Sequence, residues 1–191
     1  KISSTEEKVA SNLEEMSLNT TKGVYDTFKA PLVLYGIIAG LYIAYLPTGK
    51  WVWFSWHPIS MLIGFVALGG NAILIKKMGG YENTKMHGIL YGLGTAIAAF
   101  GWYVIYSNKE MSGKAHLTTV HGKLGAIVMV SYIGLLLVGV FGLHPDFGAF
   151  KTNKNIRSIH KLFGKVASAA AYVCCVLGFM TMQKELWKQV I

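Results

Sequence analysis

From about residue 30 to residue 183, long apolar runs alternate with short polar clusters. Each run is close to the roughly 17–25 residues that a helix needs to cross about 30 Å of hydrocarbon. The pattern predicts five helices. The first covers residues 30–46 and ends at the turn signal Pro47-Thr48-Gly49. The second covers residues 57–75 and opens with His57-Pro58, the proline falling in a first turn that tolerates its missing N–H. The others cover residues 86–106, 117–143 and 158–182, the fourth stopping before Pro145. Backbone groups in lipid must be satisfied within the segment, which makes these runs helices. The expected fold is therefore an all-α integral membrane protein: a four-helix bundle over about residues 55–183 plus one additional transmembrane helix.

Outside domain 30–183 lie a segment of residues 1–29 and a tail of residues 184–191. The first segment lacks the apolar core of a signal peptide. Ser4 with Glu7 fits a capping box, and Val9, Leu13 and Met16 recur at helical spacing, so an amphipathic interfacial helix is expected. Five spans with short loops must alternate in direction. Side B, which holds the first residue, carries the loops 76–85 and 144–157, with Lys76, Lys77, Lys85, Lys151, Lys154 and Arg157. Side A carries fewer loop cations, namely Lys50, Lys109 and Lys114, together with an aromatic belt from Trp51 to Trp56 and from Trp102 to Tyr106. The bias makes side B cytoplasmic, or matrix or stromal in an organelle. The sequon Asn19-Thr20-Thr21 then falls on the wrong side for glycosylation.

Composition agrees with lipid as solvent: 53% of the 191 residues are apolar and 14% charged, against about 25% charged in a soluble domain. The net charge of +9 belongs to membrane loops that meet anionic headgroups, and no soluble domain is present to carry a nucleic-acid-binding patch. Cys174 and Cys175 are adjacent in an apolar run and point in different directions, so a disulfide between them is not expected.

Four of the six histidines stand in the first turn of a span or just inside it. A lone histidine at a helix end is ordinarily interfacial, but four in consecutive helices are a pattern. The second and fourth helices both start on side A, so His57 and His121 share a level there. The third and fifth start on side B, so His87 and His160 share the other. Each pair comes from non-adjacent helices, as the diagonals of a bundle. Zinc would want two further ligands at each level, and these spans hold no Asp or Glu. Haem brings four nitrogens and needs only two axial ligands. The expectation is two b haems per chain, with iron pairs His57/His121 and His87/His160. Gly88, Gly122, Gly125, Gly164, Gly64 and Gly94 track these histidines along the helices and are expected to clear space for the macrocycles. Ordinary small-residue helix packing is the alternative.

The fragments Ser55-Trp56-His57-Pro58, Lys85-Met86-His87-Gly88, His116-Leu117-Thr118-Thr119-Val120-His121-Gly122 and Ile159-His160, with their spacing, resemble the cytochrome b561 family. Gly113-Lys114-Ala115-His116 looks most like its short, domain-containing members. The resemblance covers about residues 50–183. It implies two b haems and electron transfer across the membrane. The usual donor is ascorbate on the cytoplasmic side, and the usual acceptors are monodehydroascorbate or a ferric chelate on the other. Family members usually have six helices where five are expected here, which favours a homodimer or a subunit of a larger membrane complex.

An anionic donor needs fixed positive charge near the side-B histidines. The resemblance makes Lys85 the substrate lysine, and Arg157 and Lys77 stand near the same mouth. These cations could equally set topology or pair with haem propionates. On side A, His116 is a candidate for handling a proton or a ferric chelate, or a plain interfacial residue. The leading function is a transmembrane ascorbate-dependent oxidoreductase or ferrireductase. The rival is a haem-bearing accessory subunit, structural or quinone-linked. A small transporter would need paired broken helices, which the runs do not suggest.

Overall fold

The computed structural model describes residues 4–190, with side chains from residue 6 to residue 183. The expected cap at Ser4 and the side chains of the tail lie outside the described side chains. Five helices make up the described residues: α1 Ser4–Tyr45, α2 Trp53–Lys77, α3 Tyr81–Met111, α4 Val120–Gly142 and α5 Lys154–Val190. All five are long and apolar enough to cross a membrane, and no strand occurs among the described residues. The fold is that of an all-α integral membrane protein, as the apolar runs predict.

The largest departure is at the start. The helix expected from residue 30 begins at Ser4 and continues unbroken for 42 residues, with Pro31 inside it. Proline removes one ladder bond, but neighbouring helices can re-satisfy the freed groups in a membrane. The carbonyl that Pro31 leaves without its ladder donor is that of Thr27. Nearby, buried Asn71 of α2 donates its amide to the Lys29 carbonyl at 3.1 Å and ties this stretch of α1 to α2. At about 1.5 Å per residue α1 is roughly 63 Å long, twice the thickness of the hydrocarbon.

The second helix is the hub. Its most apolar window is 72% buried, against 17–28% for the other four. It starts earlier than expected, with the 3₁₀ turn Trp53–Ser55, and Ser55 ties it to α1 by donating to the Ala44 carbonyl at 2.8 Å. Glycines let its neighbours close in. Gly36 and Gly40 of α1, spaced as in a G-x-x-x-G motif, lie against Leu62, Ala67 and Ile59. Gly64 of α2 and Gly94 of α3 meet so closely that a Cβ on either would come 2.6 Å from the other's carbonyl oxygen.

The middle of α2, Leu62–Leu68, is π-helical, a feature the apolar pattern does not announce. A π turn absorbs one extra residue and so rotates the rest of the helix by about 100°. His57 and Gly64 both face α3, the first at Gly101 and the second at Gly94 and Ala98.

Around the hub, α3 contacts α2 and α4, α4 contacts α5, and α5 returns to the π stretch of α2. Helices α2 to α5 thus form a four-helix bundle whose diagonals are α2/α4 and α3/α5, with α1 packed outside on α2. Aromatic rings fill the centre. Tyr132 is 1% exposed, with Phe65 edge-on at 4.7 Å and Tyr91 stacked at 5.0 Å. Its hydroxyl donates to Ser168 at 3.3 Å.

Overpacking the α2/α3 contact is the sharpest test of this arrangement. Gly94→Ala is expected to cost about 1–3 kcal/mol, read as earlier thermal unfolding in detergent. Gly23→Ala, where a Cβ meets nothing within 4 Å, should not lower it.

Candidate functional site

The structure brings His57 and His121 together on side A. His57 stands in the first α-helical turn of α2, and its Nδ1 pairs with the Gly101 carbonyl of α3 at 2.8 Å. His121 is the second residue of α4, a helix that begins at Val120 rather than 117 because Thr119 caps it, accepting the Gly122 N–H at 3.0 Å. Leu117, at φ 53°, makes the left-handed turn leading in. His121 Nδ1 pairs with the Cys174 carbonyl of α5 at 3.0 Å. The two imidazole centroids are 6.2 Å apart, with planes at 80°.

On side B, His87 Nδ1 pairs with the Ala72 carbonyl of α2 at 2.8 Å, and its ring lies 5.9 Å from that of Tyr91. His160 lies within electrostatic reach of His87, and Lys76 is near both. The Nδ1 of His160 is buried without a partner among the described residues.

This donor set has a definite chemistry. Nδ1 as an N–H donor to a carbonyl fixes the tautomer and leaves Nε2 as the basic nitrogen, the usual arrangement of a metal-ligating histidine. Two nitrogens sharing one ion through bonds of about 2.0–2.1 Å place their ring centroids roughly 6 Å apart, the separation seen on side A. Among the described residues no group of three or more His, Cys, Asp or Glu gathers. Two imidazoles per level suit a metal that carries its own equatorial ligands, as the iron of haem does.

The glycines divide. A Cβ added to Gly88 or Gly164 meets nothing within 4 Å, leaving clearance beside His87 and His160. A Cβ on Gly125 would come 3.5 Å from Cys174 Sγ, and one on Gly122 would come 3.3 Å from its own Thr119 cap. Gly64 and Gly94 serve the helix contact and are not clearance for a ligand.

The expected substrate residues are more dispersed. Lys85 lies over the Tyr81 ring at 5.0 Å, and Tyr81 donates to Asp146 at 2.5 Å, tying the α4–α5 loop to the start of α3. Arg157 donates to the Lys151 carbonyl. It also lies within electrostatic reach of Lys76, whose Nζ donates to Thr84 at 2.6 Å. Lys77 is exposed at the end of α2. Lys76 is thus within electrostatic reach of both side-B histidines. His116 pairs with Glu110 at 2.7 Å and stacks on Tyr106 at 4.5 Å, forming a polar cluster on side A. His144 stacks on Phe147 in the side-B loop. What sequence reasoning did not find are the carbonyls of Gly101, Ala72 and Cys174; backbone acceptors carry no signal in residue type.

Residues 56–187 match the family described as eukaryotic cytochrome b561. The chain is 31% identical over 137 residues to ascorbate-specific transmembrane electron transporter 1 of Zea mays, covering 70% of this chain and 58% of that protein. It is 32% identical over 130 residues to the transmembrane ascorbate-dependent reductase CYB561 of Sus scrofa, covering 65% and 51%. To the Homo sapiens protein of that name it is 30% identical over 152 residues, covering 77% and 60%. The chain therefore spans a little over half the length of these relatives. With a family match across most of its length and the bundle on which that match falls, the chain belongs to the eukaryotic cytochrome b561 family.

Proposed function

We propose that this chain carries single electrons across a membrane through two b haems, held by His57 with His121 and by His87 with His160. One observation carries the reading: two imidazoles 6.2 Å apart on diagonal helices, each with Nδ1 engaged by a carbonyl of a neighbouring helix. Haem iron, when bound, supplies reversible one-electron chemistry without a protein radical. The chain's residues do the rest. The carbonyls of Gly101, Ala72 and Cys174 hold the rings in one tautomer and raise their basicity. Phe65, Tyr91 and Tyr132 fill the space between the two levels and exclude water.

The donor is ascorbate or a similar small reductant on side B, and the acceptor is monodehydroascorbate or a ferric chelate on side A. The names of the relatives, an ascorbate-specific electron transporter and an ascorbate-dependent reductase, support this choice. So does the chemistry of the side-B mouth, where Lys76, Lys85 and Arg157 offer an anion positive charge. Lys77 is a peripheral member of that set. On side A, the His116–Glu110 pair can take up or release the proton that accompanies an acceptor's reduction. The basic loops favour side B as the cytoplasmic, matrix or stromal face, with the first part of α1, from Ser4, projecting beyond it.

A second reading, a haem-bearing accessory subunit or one half of a homodimer, draws support from α1. Val9, Leu13 and Met16 are all exposed on a helix that outruns the membrane.

The visible spectrum of the purified protein, oxidised and then with ascorbate, tests both readings. Two low-spin haems per chain that reduce with ascorbate are expected; two that reduce with dithionite alone would favour the accessory role. His121→Ala is expected to lower haem from two per chain to one and spare the other spectrum. Loss of both haems would contradict independent sites. Lys85→Gln should raise the KM for ascorbate about tenfold, the equivalent of roughly 1.4 kcal/mol for one charged contact, at unchanged haem content. Unaltered kinetics would remove Lys85 from the donor site.

A further inference from the structure

Helices α4 and α5 run antiparallel and are in contact, and each carries one of the four histidines near its own start. Eighteen residues after His121 comes Gly139, and eighteen after His160 comes Gly178. In α5 eighteen residues are five full turns, so Gly178 shares the azimuth of His160 about 27 Å further along. Gly139 takes the matching place in α4, at the start of its π-helical end Val138–Gly142. That distance is nearly the hydrocarbon thickness, and it sets each glycine beside the other helix's histidine. A Cβ built on Gly178 would come 2.8 Å from His121 Cε1, 3.2 Å from Nδ1 and 3.4 Å from Nε2. A Cβ built on Gly139 would come 3.7 Å from His160 Cε1.

The two positions differ in tightness, and the hydrogen bonds differ with them. One turn before Gly178, the Cys174 carbonyl accepts from His121 Nδ1, and Cys174 Sγ lies 3.4 Å from the same nitrogen. His121 is thus held by a carbonyl at one turn and by the bare Cα of a glycine at the next. His160 has the glycine at ordinary contact distance and no acceptor for Nδ1 among the described residues.

We propose that Gly178 is a positioning residue for His121: with the Cys174 carbonyl it forms a seat that sets the plane of this ring near perpendicular to His57. Gly139 is the looser counterpart for His160. The assignment rests on the reading of His121 and His160 as haem ligands and adds what fixes their orientation. Any side chain at Gly178 must push the imidazole off its seat. The ring then turns about its Cβ bond, the bond to Cys174 weakens, and the ligand becomes less basic. A less basic ligand stabilises ferric iron less, so the side-A midpoint potential moves up.

The test compares Gly178→Ala, Gly139→Ala and Gly134→Ala in full-length, haem-loaded protein. Gly134 is the control, a glycine of α4 with nothing within 4 Å of its Cβ position. The side-A haem is identified as the one lost in His121→Ala. Gly178→Ala is expected to shift the low-spin electron paramagnetic resonance signal of that haem and raise its midpoint, with the side-B signal unmoved. Gly139→Ala should produce a smaller change confined to side B, and Gly134→Ala none. A Gly178→Ala protein with wild-type signals and potentials, or one changed at side B, would overturn the proposal.

If Gly178→Ala does not accumulate, the double variant with His121→Ala decides the matter. Recovery to the level of His121→Ala alone supports a clash with that ring, and continued failure refutes it. A wild-type protein without haem would fail the ligand reading while leaving this recovery experiment able to report on the seat.

Discussion

A histidine that offers one nitrogen to a ligand inside a membrane must still satisfy the other, and lipid supplies no partner. In this bundle the solution is a main-chain carbonyl of the next helix, at 2.8 Å for His57 and His87 and 3.0 Å for His121. That choice dictates how closely the helices must approach. An imidazole reaches a neighbour's backbone only where no bulky side chain stands between, so small residues occupy the contacts. Gly101 itself lies against Ser60, with a Cβ position 2.8 Å from the serine's own Cβ. The Gly64/Gly94 contact lies between the two histidine levels and holds α2 and α3 close. The polar requirement of these three rings thus accounts for part of the distribution of small residues.

The same solvent argument explains the apolar exterior. Ile127, Val130, Phe141, Phe163, Val166 and Val176 are exposed on α4 and α5, which in water would mark an interface. In lipid they are ordinary. The first half of α1 is a different case, because its length carries it past the hydrocarbon and its polar face bears Glu6, Glu7, Glu14 and Glu15. The relation of this arm to its surroundings is set by protein or headgroup chemistry rather than by the bilayer core.

How far the sequence can be read depends on which signals reside in residue type. The histidine levels are legible, since alternating helix direction and position within a helix fix depth without any contact being known. The five spans are legible for the same reason, each being a run of apolar residues. The start of α1 is not, because Pro31 and a polar sequence both read as a boundary, whereas Asn71 supports the backbone there from another helix. Nor is the π stretch of α2: its residues, Leu62 to Leu68, are apolar like any span, and its register depends on tertiary contacts. Helical counting gives no reason to single out Gly139 or Gly178, whose partners lie on another helix. Lys76 is one loop cation of several in the sequence, and only packing brings it near both His87 and His160.

The hydrogen bonds also reveal how the two levels are coupled. His57 bonds to α3 and His87 bonds to α2, so this helix pair is locked reciprocally, once near each face. The acceptor lies fifteen residues after the histidine in α2 and fourteen in α3, and the extra residue is what the π turn absorbs. The pair α4/α5 carries half of the scheme: His121 bonds to Cys174 of α5, fourteen residues after His160, whose own Nδ1 has no acceptor among the described residues. Each level draws one histidine from each helix pair. A change that separates the helices of a pair therefore disturbs both levels together, whereas a change at one ring's seat disturbs one. Independent tuning of two sites across a thin bundle requires that second kind of residue, small, local to one ring, and invisible in the pattern of polar and apolar positions.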